Sequence, residues 1–219
     1  MAYPTDVWAV LPVKETANAK QRLAGVLSAE LRRRLALAMM EDVLAPLAAT
    51  PRLSGIAVVT IDPAVEAIAA RYGARILPAG ARDGHTGAVV AAARLLALEG
   101  RGAILQVPGD IPLITADEIG TVLAAHDRQD DFVIVPAHDL RGSNAVLCAP
   151  PERVPLRFGD DSFLPHLDAA RRCGLEPKIV TAPGIALDID QAEDLAAFMR
   201  IPSDTRTYAL LQGTRLPAA

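Results

Sequence analysis

The sequence predicts an α/β fold in three layers, a mainly parallel central sheet with helices on both faces. Two observations predict it. Short, nearly continuous apolar runs alternate along the chain with longer segments of helical periodicity, and such runs suit strands buried on both faces of a sheet. Polar residues capable of chemistry gather where those runs stop, and the carboxyl edge of an open parallel sheet is where ligands bind. With 219 residues, 51% hydrophobic and 22% charged, the chain is long enough to bury a substantial core. It reads as one domain over residues 1–219.

Residues 7–13 are the first predicted strand, closed at Pro12. Lys14 follows at once, with Lys20 and Arg22 in the polar stretch beyond. Basic groups just after a first parallel strand are placed to meet phosphates, or are ordinary solvated cations. Ser28 caps a long helix to Leu47, with Leu31, Leu35, Met39, Val43 and Leu47 near one face. Residues 55–60 are a second buried strand. Pro63 opens a helix to Tyr72, Gly73 ends it, and residues 74–77 form a third strand. The loop over 78–87 is glycine-rich and leads into a helix over about 88–99. Gly84 lies in this loop, which suits an anion or nucleotide contact at a helix N-terminus, although it carries neither a Walker A pattern nor a dinucleotide fingerprint.

Residues 103–107 are the central strand, stopped by Pro108 and Gly109. Asp110 lies just past its end, inside Pro-Gly-Asp-Ile-Pro-Leu. A rigid frame of this kind lets one carboxylate hold a cation without ordering cost, or the Asp simply caps a turn. Thr115 caps the next helix, to His126, with Asp117 and Glu118 in its first turn. A strand over 132–136 follows, then Arg-Gly-Ser-Asn immediately before another strand. Ser162 reads as the N-cap of a helix to Cys173, preceded by Asp160 and Asp161. Residues 176–181 are a strand, and Leu-Asp-Ile-Asp then places Asp188 and Asp190 at a strand end before a helix over 191–200. The tail, about 202–219, has no clear core pattern and is expected to be mobile or to pack on a partner. The stretch from Arg141 to Phe163 is expected to form a β-rich extension that supports a homodimer.

A net charge of −4 argues against a nucleic-acid or anionic-membrane surface, and no apolar run approaches the ~20 residues of a membrane span. The N-terminus has no basic stretch followed by an apolar one, so no signal peptide is read. Cys148 and Cys173 show no metal spacing and are expected to be reduced thiols in a cytoplasmic protein. The four histidines form no zinc motif, and no nucleophile elbow is present. What remains is a set of groups at successive strand ends: Lys14, Asp110, and Asp188 with Asp190. Separated carboxylates with basic groups at one sheet edge suit a phosphate-bearing substrate with Mg²⁺.

These motifs resemble those of the nucleotidyltransferase-like guanylyltransferases of coenzyme F(420) biosynthesis, relatives of the molybdenum cofactor guanylyltransferases. The matching stretches are Leu-Pro-Val-Lys with Ala-Lys-Gln-Arg-Leu, Val-Pro-Gly-Asp-Ile-Pro-Leu, Arg-Gly-Ser-Asn-Ala-Val-Leu, Arg-Phe-Gly-Asp-Asp-Ser-Phe and Leu-Asp-Ile-Asp-Gln-Ala-Glu-Asp-Leu. They span nearly the whole chain in family order. Two segments depart: Gly84-His85-Thr86-Gly87-Ala88 stands where the family often has a Gly-Leu-Asn-Ala-like run, and Gln191-Ala192 where it tends to have Thr-Pro. The resemblance implies a nucleotide-diphospho-sugar transferase-like fold and transfer of GMP from GTP to 2-phospho-L-lactate, phosphoenolpyruvate or 3-phospho-D-glycerate, with release of pyrophosphate. It implies that Lys14, Lys20 and Arg22 contact the GTP phosphates, with Gly84 also at the nucleotide. Asp110 and Asp188 would ligate Mg²⁺, joined by Asp190, and Lys14, Asp110 and Asp188 would be the catalytic set. Ser143, Asn144, Gly159 and Ser162 would hold the phosphorylated acid. The alternatives are a related sugar-phosphate or molybdopterin nucleotidyltransferase, or a non-catalytic nucleotide-binding domain.

Overall fold

The computed structural model describes residues 6–214. Among them, seven strands share one sheet: β1 (Val7–Pro12), β2 (Leu53–Val59), β3 (Arg75–Leu77), β4 (Ala103–Gln106), β5 (Asp131–Pro136), β6 (Ser143–Ala149) and β7 (Lys178–Ile179). Their spatial order is β3-β2-β1-β4-β6-β5-β7. Neighbours pair in parallel on both sides of β1, between β2 and β3, and between β5 and β7. β6 runs antiparallel to both β4 and β5. The reversal follows from chain length. Only six residues, 137–142, join β5 to β6, and so short a link permits a hairpin but not a crossover.

The helices are α1 (Ala29–Ala48), α2 (Pro63–Arg71), α3 (Gly84–Leu98), α4 (Ala116–Ala125), α5 (Phe163–Arg172), α6 (Pro183–Ala186), α7 (Ala192–Met199) and α8 (Arg206–Gln212). Alternate strand residues face opposite layers, as a period of two requires. Ala9 and Leu11, Ile56 and Val58, Val133 and Val135 pack with Val43 and Leu47 of α1 and Val122 of α4. Val10, Ala57, Ile104 and Ile134 pack on the other face with Val89 and Leu96 of α3 and Leu167 of α5. A third cluster lies outside the sheet, where Leu35 and Met39 of α1 meet Leu195 and Phe198 of α7 and Leu211 of α8. The three-layer, mainly parallel architecture expected from the sequence is the one observed.

Several expectations are corrected. The stretch from Arg141 to Phe163 is no extension: its strand, β6, is paired on both edges inside the sheet. Residues 206–212 of the tail form α8, docked on α1, where Asp42 accepts bonds from the Arg206 and Thr207 N–H groups at 2.9 and 2.8 Å. The rest of the tail, beyond 214, lies outside the described residues. Finally, α3 begins at Gly84 rather than near Ala88. Gly84 has φ +74°, which glycine adopts at no steric cost and which turns the chain into the helix. β7 starts only at Lys178, because Pro177 before it has no N–H for a ladder, and Asp188 with Asp190 follow α6 and not the strand end expected for them.

Candidate active site

The carboxyl ends of β1, β4 and β5 lie on one edge of the sheet. Because β6 is reversed, its first residues, Ser143 and Asn144, lie on that same edge. A cleft of two lobes, about 970 and 980 Å³, runs along it. Lys14, Arg22, Asp110 and Asp190 line both lobes. The first lobe is otherwise walled by residues after β1, by Ala81 and Arg82 before α3, and by Gly109. The second is walled by Ser143, Asn144, Gly159, Ser162 and Asp188.

Two straps assemble the boundary between the lobes. After β1 the chain makes two single turns, Thr16–Asn18 and Gln21–Leu23. Thr16 anchors the first, donating its N–H and its hydroxyl to Asp62 at 2.7 and 2.6 Å. Arg32, buried in α1, anchors the second by donating to the carbonyls of Leu27 and Ala19 at 2.8 and 3.3 Å. Between the turns Lys20 is held at φ 51°, ψ 47°, a left-handed conformation that costs a non-glycine residue about 1 kcal/mol. The second strap is the chain after α6. Ile189 N–H donates to the Asp110 carbonyl at 3.0 Å, while the Ile189 side chain is fully buried with Leu195 and Phe198. Asp188 and Asp190, two residues apart, flank that anchor. The carboxylate of Asp194 in α7 accepts bonds from the Asp190 and Gln191 N–H groups at 3.0 and 2.8 Å and fixes the last of the strap.

The straps bring the Lys20 ammonium to 2.6 Å from Asp110 and 2.6 Å from Asp190, residues 90 and 170 positions away in sequence. Burial disfavours charge on Lys20, yet the two carboxylates outweigh it and raise its pKa. Burial likewise works against charge on Asp190, but Lys20, aided by Arg22 and Lys14, holds that carboxyl below its usual value. Arg22 reaches Asp190 at 3.9 Å and Asp160 at 3.5 Å. Asp188 behaves oppositely. Burial, with Asp110 and Asp190 nearby, raises its pKa, against the bond from Asn144. Lys14 is exposed beside this cluster and makes no ion pair among the described residues.

Asn144, expected at the acid, lines the second lobe and also bonds within the chain. Its amide nitrogen donates to the carbonyls of Ile185 and Ala186, at 3.0 Å each, and to Asp188 at 2.9 Å. With its donors committed, it holds the second strap and Asp188. Ser162 departs from expectation. Its backbone is helical, its side chain caps nothing, and its hydroxyl meets that of Ser143 at 3.1 Å. Ser143 in turn meets Nδ1 of His166 at 2.9 Å. The loop bearing Gly159 is pinned by Phe158 N–H donating to Thr86 at 2.9 Å and Arg157 N–H donating to His166 Nε2 at 3.0 Å.

Sequence reading missed His85, Gln106 and His166. Gln106 is the one polar residue in β4 and is fully buried. It bonds to His85 at 3.1 Å beneath the lobe boundary, and the His85 ring lies 4.8 Å from that of Phe158. The signals were a lone polar residue in an apolar strand and the i, i+4 spacing of Ser162 and His166 at the start of a helix.

The fold is nucleotide-diphospho-sugar transferase-like. The sheet matches that of a candidate nucleotide-diphospho-sugar transferase from Desulfovibrio desulfuricans G20, with TM-score 0.72 at 20% identity over 96% of this chain and 95% of that one. Residues 7–218 match the family model described as guanylyl transferase CofC like, and the chain belongs to that family of guanylyltransferases, the one its motifs resemble. It is 37% identical to a phosphoenolpyruvate guanylyltransferase of Roseiflexus castenholzii over 96% of this chain and 99% of that protein. It is 38% identical to one of Rubrobacter xylanophilus over 87% and 92%. Among the described residues no helix is long and apolar enough to cross a membrane.

Proposed function

We propose that the enzyme transfers GMP from GTP to a phosphorylated three-carbon acid, with Mg²⁺ as the cation and phosphoenolpyruvate as the preferred acid, in the assembly of coenzyme F(420). The observation that carries the reading is the convergence of Asp110 and Asp190 on Lys20 where the two lobes meet. The names of the relatives in Roseiflexus and Rubrobacter support phosphoenolpyruvate over the other two acids.

Among the described residues no ready-made cluster of three metal-ligating side chains exists, because an ammonium stands between two of the carboxylates. The donor set nevertheless fits a hard cation: Asp110, Asp188 and Asp190 offer only oxygen, and their combined charge exceeds that of Lys20. Those three residues would hold the ion, which when bound supplies charge neutralisation at the phosphates.

The chain's own residues do the rest. Lys14, Lys20 and Arg22 neutralise the triphosphate from the first lobe, and Gly84 lets the backbone turn close to the nucleotide. Ser143, Ser162 and the bare backbone of Gly159 hold the acid in the second lobe, while Asn144 fixes Asp188. An oxygen of the acid's phosphate attacks the α-phosphorus. A new P–O bond forms as the bond to the bridging oxygen breaks, and that oxygen leaves with pyrophosphate. The attacking oxygen is already ionised, so no base is needed, and alignment with charge neutralisation carries the rate.

The test is pyrophosphate release from GTP and Mg²⁺ with each of the three acids, the product being trapped by the deazaflavin acceptor transferase. Phosphoenolpyruvate is expected to give the highest kcat/KM. Asp110→Asn, which keeps volume and removes charge, is expected to lower turnover by about 10²-fold or more with its fold intact. Release of pyrophosphate with none of the acids, or wild-type turnover in Asp110→Asn, would refute the proposal.

A further inference from the structure

His166 sits one turn into α5 with its side chain out of solvent. Its ring lies 5.0 Å from that of Phe158 and 6.3 Å from that of Phe132. It does not itself line the second lobe, and its polar link to that lobe runs through Ser143. Its two nitrogens have fixed and different work. Nε2 faces the Arg157 N–H at 3.0 Å, and a backbone N–H can only donate, so Nε2 is an acceptor. A neutral ring therefore carries its proton on Nδ1 and donates it to the Ser143 hydroxyl at 2.9 Å. Burial pushes the pKa of the ring down to about 4, so the neutral form is the one present near pH 7.

The protons of this network can be counted. His166 N–H, Ser143 O–H and Ser162 O–H are three donors. Inside the network they find two acceptances: one on Ser143 from His166, and one between the two hydroxyls, which lie 3.1 Å apart. Neither serine oxygen has another side-chain partner among the described residues. Whichever hydroxyl donates to the other, one O–H is left over, and both serines line the lobe. The pair thus offers a donor to the cleft. With the opposite tautomer, Nδ1 would draw the Ser143 proton inward, and an oxygen lone pair would face the ligand instead.

We propose that His166 is a positioning residue that sets the hydrogen-bond polarity of the Ser143–Ser162 pair, so that the pair donates to an ionised oxygen of the acceptor acid. This rests on the assignment of the second lobe to the acid. It makes the lobe selective for an anionic group by a residue that never touches it, since donating to a charged acceptor is the strong form of the bond.

Two measurements test it. The first is a set of KM values for phosphoenolpyruvate and GTP in wild type, Ser143→Ala, His166→Phe and the double variant, with His166→Asn returning an amide donor near the Nδ1 position. His166→Phe is expected to raise the KM for the acid on the order of 10-fold while leaving that for GTP unchanged. His166→Asn should recover most of the loss, and His166→Phe should add nothing in the Ser143→Ala background. An equal rise for both substrates, or a full additional rise in the double variant, would overturn the proposal. If Ser143→Ala alone leaves the acid KM unmoved, the assignment of the lobe has failed, and the proposal with it. The second measurement needs no variant and stands if His166→Phe does not fold. Imidazole ¹⁵N shifts of the wild-type protein at pH 7 should report His166 as neutral and protonated at Nδ1. A ring protonated at Nε2, or a cationic ring, would overturn the polarity.

Discussion

Replacing Lys20 by Met keeps the stem of the side chain and removes the charge that joins the two straps. Its ammonium donates to Asp110 and Asp190 at 2.6 Å each. Hydrogen bonds to charged groups are worth about 1.5 kcal/mol or more apiece, so up to ~3 kcal/mol is at stake. Part returns as hydration, because the Asp110 and Asp190 side chains are 25% and 41% exposed. We expect a net loss of about 1–2 kcal/mol, which in a chain of this length lowers the melting temperature by roughly 2–8 °C. The three carboxylates then face one another with less compensation. If they are the cation site, millimolar Mg²⁺ should raise the melting temperature of Lys20→Met more than that of wild type, in which the ion competes with the ammonium. The assay is differential scanning fluorimetry with a Mg²⁺ titration against an EDTA baseline. Turnover should fall together with GTP affinity, because Lys20 is also proposed to meet the triphosphate. An equal Mg²⁺ response in the two proteins would refute the competition, and no response in either would refute the site.

Two further outcomes are expected from contacts outside the cleft centre. Asp42→Ala removes both carboxylate bonds to the first N–H groups of α8 and should cost about 3 kcal/mol, with new protease cleavage in residues 200–205; a loss under ~0.5 kcal/mol would mean that α8 docks by apolar contact alone. Burial holds both His85 and His166 down at about 4. Unfolding therefore takes up protons between pH ~6.5 and 4, and stability falls as pH drops through that window by up to ~2.7 kcal/mol per unit. His166→Asn should halve the slope measured in urea titrations, and an unchanged slope would show that this histidine is already charged in the folded state.

The strands and most helices were legible because each is a local pattern: an apolar run, a cap, a proline or glycine stop. The reversal of β6 was not, since strand direction is written only in the length of the link over 137–142. α8 escaped notice although Thr205 caps it locally, because it is only seven residues long and the carboxylate that docks it, Asp42, stands 164 residues before Arg206. Asp110 announced itself by ending a strand, whereas Asp188 and Asp190 follow α6 and not the strand expected before them; nothing local to Lys20 shows that a left-handed turn aims it at Asp110 and Asp190. Ser162 misled for the opposite reason. Its place before a helix is that of a cap, and only the approach of β6 turns its hydroxyl elsewhere.

The reversed strand also divides the enzyme's chemistry along its chain. On the proposed assignment, groups that face the leaving pyrophosphate come from the first 110 residues, from Lys14 to Asp110. On the same assignment, groups that face the incoming nucleophile come from the hairpin and the segment after it, from Ser143 to Asp190. The two stretches meet at the carboxylate cluster and again in the second lobe, where Gly84, His85 and Thr86 stand beside Phe158. Exchanging one acceptor for another by a graft of residues 137–190 would therefore need Lys20 and the segment from Gly84 to Thr86 to be matched to the graft.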